Sequence, residues 1–375
     1  MWFYRSPTVV YGDDALSFLE SIDMKAVLIV TDRNISKSGI LEKVKAHIFS
    51  PSVETIDYIK EEPSVDEIND AVEKIGNFKP DTIIGLGGGS SMDAAKVILF
   101  RLSRPDLDFF DLTPLSYLGI KKNHKFIAIP TTAGTGSECS WAAVVTDRND
   151  GRKAEMASPE IMPDFAILDP SMVSGMPAEV RRNTATDALT HAIEAYVSTW
   201  KNPYSDSLAR EAVMLITTGC AKLHDDPENM EYNSMVQIGA SMAGSAFSNS
   251  QIGLAHALGH AFGAVFHKPH GLSVGIFLPR VIEFNDVSCH DRYEEINSFF
   301  STDLRKENLE ESVKSFLKFM GLPLYVEDAG IDVDEYMTRK KVVADLCFES
   351  TGIIGNPRDV SRSDIDKILS DMIHK

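Results

Sequence analysis

The stretch PDTIIGLGGGSSMDAAKVILF, residues 80–100, decides the fold. Its pattern predicts a short apolar strand, a turn of three consecutive glycines and a helix. Glycines let the backbone approach a ligand closely, and a helix N-terminus offers unpaired N–H groups and the positive end of its dipole to a phosphate. The stretch differs from the usual dinucleotide fingerprint, because Ser90 occupies the position of the third glycine. Because the glycine turn leads directly into a helix, we still expect a pyrophosphate cradle at Gly87, Gly88, Gly89 and Ser90.

One alternative use of the same residues involves no ligand. Ser90-x-x-Asp93 has the spacing of a capping box, which any helix can use to satisfy its first N–H groups. The sequence by itself leaves both interpretations open.

Similar apolar runs rich in Ile and Val occur elsewhere in the first half of the chain, at residues 26–31, 82–86, 126–130 and 164–168. Segments with helical periodicity lie between them, for example at 65–76 and 91–103. Short buried strands alternating with helices predict a parallel sheet covered on both faces. From about residue 183 onward we find helical periodicity alone. The expected fold is an α/β domain with a Rossmann-like parallel sheet over 1–180, followed by an all-α domain over 181–375.

Two more segments follow predicted strands and carry polar groups. IPTTAGTGSECS at 129–140 places Thr131, Thr132 and Thr135 around two glycines, and Asp32 closes the strand AVLIVTD. Because open α/β sheets bind ligands at the carboxyl ends of their strands, we expect the threonines to line a nucleotide and Asp32 to accept the hydroxyls of a ribose. A Gly/Thr-rich turn is also a common connector, and Asp32 equally suits a helix cap.

Composition limits the classes of partner. The chain has 37 basic and 55 acidic residues and a net charge of -18, which argues against a nucleic-acid or anionic-membrane partner. No uninterrupted apolar stretch is long enough to span a membrane, and the N-terminus lacks a signal-peptide pattern, so we expect a cytoplasmic protein. The four cysteines show no CxxC pairing and are expected to be reduced, mostly buried thiols.

Histidines concentrate in the predicted helices of the second half. Asp187 and His191 lie four residues apart in DALTHAIEAYVS, residues 187–198, so a helix would place them on one face. GLAHALGHAFGAVFHKPHG, residues 253–271, repeats this spacing with His256 and His260. Two groups stacked in this way can approach one point, as a divalent metal requires.

The second histidine segment continues with His267 and with His270, which follows Pro269 and is expected to lie outside the helix. Imidazoles combined with a carboxylate suit Fe(II) or Zn(II) rather than calcium or magnesium, which prefer oxygen ligands. Spacing alone does not decide which of the histidines at 256, 260, 267 and 270 bind the metal.

Together these segments resemble the iron-containing (group III) alcohol dehydrogenase family. The matching stretches are VTD at 30–32, GLGGGSSMDAAK at 85–96, IPTTAGTGSE at 129–138, DALTHAIEAYVS at 187–198, AFSNSQIGLAHALGHAFGAVFHKPHG at 246–271 and GNPR at 355–358. The resemblance implies an N-terminal dinucleotide-binding α/β domain and a C-terminal helical domain. It also implies a metal-dependent alcohol dehydrogenase or aldehyde reductase, which transfers a hydride between a nicotinamide cofactor and a small alcohol or carbonyl compound.

The resemblance further implies roles for individual residues. One divalent ion, with Fe(II) expected before Zn(II), would be held by Asp187, His191, His256 and His270, and His260 would relay a proton without binding the metal. Contacts to the cofactor would come from Asp32, Gly87, Gly88, Gly89, Ser90, Thr131, Thr132, Thr135 and Lys153. The negative charge of Asp32 favours NAD(H) over NADP(H), although Arg33 beside it could offset this preference. By analogy with the family, a homodimer or a higher homo-oligomer is expected.

Three alternative functions are compatible with this pattern. A lyase of the dehydroquinate synthase kind would need a basic cluster for a phosphorylated substrate, and the sequence shows none near the metal helices. A reductase specialised for glycerol, glycerol phosphate or a hydroxy acid would share the same motifs. A metal-binding relative without turnover would keep the metal ligands. It would not need His260 or the segment 129–140 with its three threonines, called the threonine loop below.

Overall fold

A computed structural model of the protein describes residues 4–114, 117–147 and 152–374. The chain divides into two compact units, residues 1–175 and 176–375, and each is described by itself. The domain limits of 1–180 and 181–375 expected from the sequence remain a prediction.

The first unit contains a six-stranded sheet in which every paired neighbour is parallel. The strands are β1 (Thr8–Tyr11), β2 (Ala26–Val30), β3 (Ser52–Ile56), β4 (Thr82–Gly87), β5 (Lys125–Pro130) and β8 (Phe165–Leu168), in the spatial order β1-β8-β5-β4-β2-β3. A separate antiparallel pair consists of β6 (Ala142–Asp147) and β7 (Arg152–Ala157). The sheet places β4 between β2 and β5, so the loops that follow these three strands emerge at one edge.

Helices cover both faces of this sheet. They are α1 (Arg33–Lys37), α2 (Ile40–Lys45), α3 (Val65–Ile75) and α4 (Gly89–Ser103). Alternate residues of β2 point in opposite directions: Leu28 and Val30 pack into a core with α3 and α4, while Val27 and Ile29 pack into a second core with α2. Because β2 is buried on both faces, its sequence contains a continuous run of Val, Ile and Leu.

Helices joined by loops make up the second unit, and its described residues, 176–374, contain no strand. Its helices are α5 (Ala178–Val197), α6 (Pro203–Leu223), α7 (Met230–Ser248), α8 (Leu254–Phe266), α9 (His270–Asn297), α10 (Leu309–Phe319), α11 (Val333–Phe348), α12 (Gly352–Gly355) and α13 (Arg362–Ser370). Helix α5 packs against α6, α7 and α9, and α8 packs against α9 and α11. The predicted fold class, a parallel α/β sheet followed by a helical region, is confirmed.

None of the helices in the described part of the chain has both the length and the apolar character needed to cross a membrane.

Candidate metal centre and nucleotide-binding loops

The face that α5 turns toward the interior of the second unit carries Asp187 and His191. Both side chains are buried, with 2% and 6% of their surface exposed. The spacing of four residues stacks them, so that His191 Nδ1 lies 3.8 Å from Asp187 Oδ1. A carboxylate and an imidazole thus share a site that water scarcely reaches.

Two histidines from other helices approach the same carboxylate oxygen. His256 of α8 places Nε2 3.5 Å from Asp187 Oδ1, and His270 places Nε2 3.1 Å from it. One ligand atom each from Asp187, His256 and His270 lies within 4.8 Å of the others, which makes these residues a candidate metal group. The structure therefore brings together all four residues expected to bind metal, with His191 at the margin of the group.

His270 lies beyond Pro269 and outside α8, which ends at Phe266, as the sequence predicted. It is the first residue of the next helix, α9, with Pro269 as the N-cap. Proline fixes φ and lacks an N–H, and both properties are tolerated where a helix begins. Pro269 therefore marks the start of α9, and His270 belongs to that helix and not to a loop.

Three buried atoms at this point have no hydrogen-bond partner among the described residues: Asp187 Oδ1, His191 Nδ1 and His256 Nε2. The ring of His270 comes close to Asp187 Oδ1, but not in the direction of a hydrogen bond. Leaving such groups unsatisfied costs about 1–3 kcal/mol each, so their convergence needs a partner. One carboxylate oxygen and imidazole nitrogens form a donor set that fits Fe(II) or Zn(II).

The electrostatics of the group agree with this donor set. Burial alone would favour the neutral acid, but the attraction of His191 and His270 outweighs it and holds the pKa of Asp187 well below its usual value. Burial lowers the pKa of His191 well below its usual value despite the attraction of Asp187. Asp187 is thus a carboxylate and His191 a neutral imidazole near neutral pH, which are the forms that bind metal.

Aromatic stacking fixes the plane of His191. Its ring stacks on Phe247 of α7, with centroids 4.3 Å apart and an interplanar angle of 18°. It also stacks on His256 at the same centroid distance, with an angle of 22°. Nothing in the sequence indicates the contact of Phe247 with His191, because a lone phenylalanine in a helix carries no signal of a neighbouring imidazole.

His260 lies beside the candidate metal group, one helical turn after His256. Its ring centroid is 5.1 Å from that of His270 and 5.9 Å from that of His256. His260 is outside the group of three whose ligand atoms converge, and its side chain is half-buried. This placement is compatible with a proton relay and does not make His260 a ligand.

Glu194 is a further residue of this site that the sequence analysis did not include, although its spacing from His191 is a signal. It follows His191 by three residues in α5 and therefore lies on the same face as Asp187 and His191. Its buried carboxylate accepts hydrogen bonds from the backbone N–H groups of Gly253 and Ala255 and from His256 Nδ1. Together with Asp187, it outweighs the effect of burial and raises the pKa of His256 to about 9.

In the first unit, the glycine turn leads from β4 directly into α4. Helix α4 begins at Gly89 with Gly88 as its N-cap, and no side chain caps it. Ser90 Oγ instead donates a hydrogen bond to the carbonyl of Glu61, and Asp93 accepts from Ser137 Oγ at 2.6 Å. The capping-box interpretation is therefore wrong, and the N-terminal N–H groups of α4 have no side-chain cap among the described residues.

The threonine loop packs directly against these glycines. Gly87 has a φ of 144°, which L side chains rarely adopt, and a Cβ added at Gly89 would lie 2.7 Å from Thr135 Cγ2. A Cβ at Gly88 would meet Thr132 at 3.6 Å. Thr131 donates its backbone N–H to the carbonyl of Gly87 over 2.9 Å. The two loops thus form one surface at the carboxyl ends of β4 and β5.

Asp32 is a helix cap and also a neighbour of the glycine turn. Its Oδ1 accepts the N–H groups of Asn34 and Ile35 at 2.7 and 3.1 Å, which caps α1. Its Oδ2 lies 3.4 Å from the position that a Cβ of Gly87 would occupy. One oxygen of Asp32 is thus placed beside the predicted pyrophosphate cradle. Lys153 belongs to β7, but its side chain lies outside the described residues.

The fold and the candidate site define the class of protein as a parallel α/β unit followed by a helical unit that carries a group of potential metal ligands. The model of the iron-containing alcohol dehydrogenase family matches residues 6–170, and that of the C-terminal part of Fe-containing alcohol dehydrogenases matches residues 182–373. The chain belongs to the iron-containing alcohol dehydrogenase family, as the sequence motifs predicted.

Individual relatives agree with this assignment. The chain is 33% identical to an NADPH-dependent butanol dehydrogenase of Clostridium saccharobutylicum, over 98% of this chain and 97% of that protein. It is 32% identical to an aldehyde-alcohol dehydrogenase of Streptococcus pneumoniae, of which it spans about half the length, 46%. A solved iron-containing alcohol dehydrogenase of Thermococcus thioreducens superimposes with a TM-score of 0.88 at 28% identity, covering 99% of both chains.

Proposed function

We propose that the protein is a metal-dependent alcohol dehydrogenase or aldehyde reductase, which transfers a hydride between a nicotinamide cofactor and a small alcohol or carbonyl compound. In this proposal Asp187, His191, His256 and His270 hold one divalent ion, with Fe(II) expected before Zn(II). One observation carries the proposal: three buried atoms that could bind a metal lie close together and lack hydrogen-bond partners among the described residues. They are Asp187 Oδ1, His191 Nδ1 and His256 Nε2.

The chemistry divides between bound groups and side chains. When bound, the ion supplies Lewis acidity to the oxygen of an alcohol or carbonyl, and the nicotinamide supplies or accepts the hydride. Asp187 contributes the negative charge of the ligand set, and His191, whose pKa is lowered by burial, contributes the lone pair of a neutral imidazole. His260, whose ring lies 5.1 Å from that of His270, would carry the hydroxyl proton, because imidazole titrates near neutrality.

The loops of the first unit support the cofactor part of the proposal. The N-terminus of α4 has no side-chain cap among the described residues, and Gly88 and Gly89 let Thr132 and Thr135 pack closely against it. A helix N-terminus of this kind suits the pyrophosphate of a dinucleotide. Asp32 beside Gly87 would accept ribose hydroxyls and repel a 2′-phosphate, which favours NAD(H) over NADP(H).

The preference for NAD(H) is a finer proposal than the use of a nicotinamide cofactor. The butanol dehydrogenase relative is named as NADPH-dependent, so one relative of this chain uses the phosphorylated cofactor. A cytoplasmic location and assembly into a homodimer or higher homo-oligomer also remain predictions from the sequence.

The test is turnover by protein loaded with Fe(II) and, separately, with Zn(II). We expect the protein to consume NADH with one or more members of a panel of short aldehydes, which the loss of NADH absorbance measures. We expect Asp187→Ala to consume no NADH. The matched control is His290→Ala, because His290 is exposed and pairs with Asp286 and Glu294 on α9. Metal binding without turnover of any aldehyde, alcohol or hydroxy acid would favour the non-catalytic relative instead.

A further inference from the structure

The backbone N–H groups at the N-terminus of α8 donate hydrogen bonds to a side chain of another helix. Gly253, the N-cap of α8, has no side chain of its own to accept the first N–H groups. Glu194 Oε2 accepts the N–H of Gly253 at 2.9 Å, and Glu194 Oε1 accepts that of Ala255 at 2.6 Å. A carboxylate at the positive end of a helix is stabilised by its dipole. Glu194 therefore does for α8 what an N-cap side chain does elsewhere.

The same carboxylate determines which nitrogen of His256 faces the metal ligands. Glu194 Oε2 lies 2.6 Å from His256 Nδ1. An ionised carboxylate can only accept hydrogen bonds, so Nδ1 must carry the proton. His256 Nε2, 3.5 Å from Asp187 Oδ1 and without a hydrogen-bond partner in the described part of the chain, is then the nitrogen with the free lone pair when the ring is neutral.

Glu194 has little freedom to adopt another arrangement. Only 4% of its surface is exposed, and a Cβ at Gly253 would lie 2.9 Å from its Oε1. The GNPR segment presses on the same loop, because a Cβ at Gly355 would lie 2.2 Å from the carbonyl oxygen of Ile252. Asn356 in that segment exchanges two amide hydrogen bonds with Asn285, of 2.8 and 2.9 Å. The loop before α8 is thus in contact with Glu194 and with the GNPR segment, which Asn356 ties to α9.

We propose that Glu194 is a positioning residue, which fixes the ring direction and proton position of His256 and thereby sets the affinity of the site for a divalent metal. The inference rests on the proposed metal site and adds a function for a residue that contacts no substrate. One face of α5 would then carry two metal ligands, Asp187 and His191, and the group that orients a third ligand from α8.

The first test compares metal affinity in Glu194→Gln and Glu194→Ala with that of the wild type, by calorimetric titration of the metal-free proteins with Zn(II). The uncharged amide cannot accept all three hydrogen bonds, and alanine accepts none. We expect the Kd to rise about 10- to 100-fold, more in Glu194→Ala, while circular dichroism shows a folded protein.

Asn356→Ala is the matched control, because Asn356 anchors the GNPR segment that packs on the same loop, and its amide hydrogen-bonds Asn285 and Arg358 rather than His256. We expect it to lower Tm while the Kd for zinc stays within about twofold of the wild-type value. Equal Kd values for wild type and Glu194→Gln, or equal losses in Glu194→Gln and Asn356→Ala, would overturn the positioning role alone. A wild-type protein that binds no zinc would overturn the proposed metal site and this inference with it.

A second measurement needs no variant to fold. Nitrogen NMR of the zinc-loaded wild-type protein distinguishes a protonated ring nitrogen from one that binds metal. We expect His256 to show a hydrogen-bonded proton on Nδ1 and the metal on Nε2. Metal on Nδ1 would overturn the proposal even if both Glu194 variants were unfolded.

Discussion

The imidazole rings of His191 and His256, which come from α5 and α8, stack with their centroids 4.3 Å apart and an angle of 22° between their planes. Both rings are therefore oriented by packing, and that of His256 also by the hydrogen bond between its Nδ1 and Glu194. Since metal ligands bind well when they are held in position before the ion arrives, the arrangement predicts a preorganised site.

Removal of one candidate ligand should remove the metal. We expect His256→Ala and His270→Ala to lose bound metal and turnover together, because each takes one nitrogen from a small set of donors. Metal content by mass spectrometry and NADH consumption measure the two effects, with His290→Ala as control. A full equivalent of metal in His270→Ala would remove that residue from the site.

His260 should affect the rate and leave the metal in place. His260→Gln keeps a polar side chain but cannot titrate, so we expect unchanged metal content and a turnover number lower by roughly 100-fold. The experiment measures kcat across the pH range on protein of verified metal content. Rates equal to those of the wild type at every pH would return His260 to a packing role.

The glycine turn should not tolerate a side chain at Gly89. A Cβ there would lie 2.7 Å from Thr135 Cγ2, and overpacking of this kind costs about 1–3 kcal/mol. This cost falls on folding stability, and relieving the clash also moves the threonine loop away from the start of α4, so we expect Gly89→Ala to weaken NADH binding by about tenfold, a loss of about 1.4 kcal/mol of binding free energy. Fluorescence titration with NADH measures the affinity.

Gly175→Ala is the control for this substitution, because a Cβ at Gly175 meets nothing within 4 Å. It should leave NADH affinity and Tm unchanged. Wild-type NADH affinity in Gly89→Ala would argue against a cradle formed by the two loops.

Asp32 should select the cofactor. Asp32→Gly removes the carboxylate beside Gly87, and glycine replaces an N-cap residue at a cost of only a few tenths of a kcal/mol, so the fold should persist. We expect kcat/KM to favour NADH in the wild type and to shift toward NADPH in the variant. A wild-type preference for NADPH, or no shift in the variant, would show that Asp32 does not contact the ribose.

Alkylation of the thiols should be slow in the folded protein. Burial raises the pKa of Cys220 and of Cys347 to about 12, and that of Cys289 to about 11. The thiolate is the reactive form, so these thiols stay unreactive even above the ordinary thiol pKa of about 8.5. Mass spectrometry after iodoacetamide treatment should show Cys289, the one with partial exposure, modified first. Rapid labelling of Cys220 or Cys347 without unfolding would contradict their burial.

The sequence predicted those parts of the fold that carry a strong local pattern. Strands β2, β4 and β5 are buried on both faces, so their apolar runs were visible, and Asp187 and His191 share a face because helical geometry stacks residues four apart. Strand β3, with the sequence SVETI, and the hairpin of β6 and β7 were missed. The polar residues of β3 and β7 resemble those of loops, and pairing of β3 with β2 and of β7 with β6 makes them extended.

The candidate site was predictable where several residues form a motif and not where a single residue contacts a distant one. Glu194 meets the start of α8 some sixty residues further along the chain, and no spacing in the sequence records that contact. The contact of Ser90 with a phosphate stays a prediction, and its hydroxyl donates a hydrogen bond to the carbonyl of Glu61, a tertiary contact that the glycine motif does not contain. Both contacts arise from packing between segments.

Strand β1 occupies one edge of the sheet and pairs with β8, so Thr8–Tyr11 finds its neighbour in Phe165–Leu168. During synthesis on the ribosome, the strand near the start of the chain must therefore wait for a segment made more than a hundred residues later. Contacts between residues so distant in sequence slow folding, because the loop between them must close first. Until β8 has been made, β1 has no partner strand in this sheet, and a chaperone that binds short exposed strands would find Thr8–Tyr11 available.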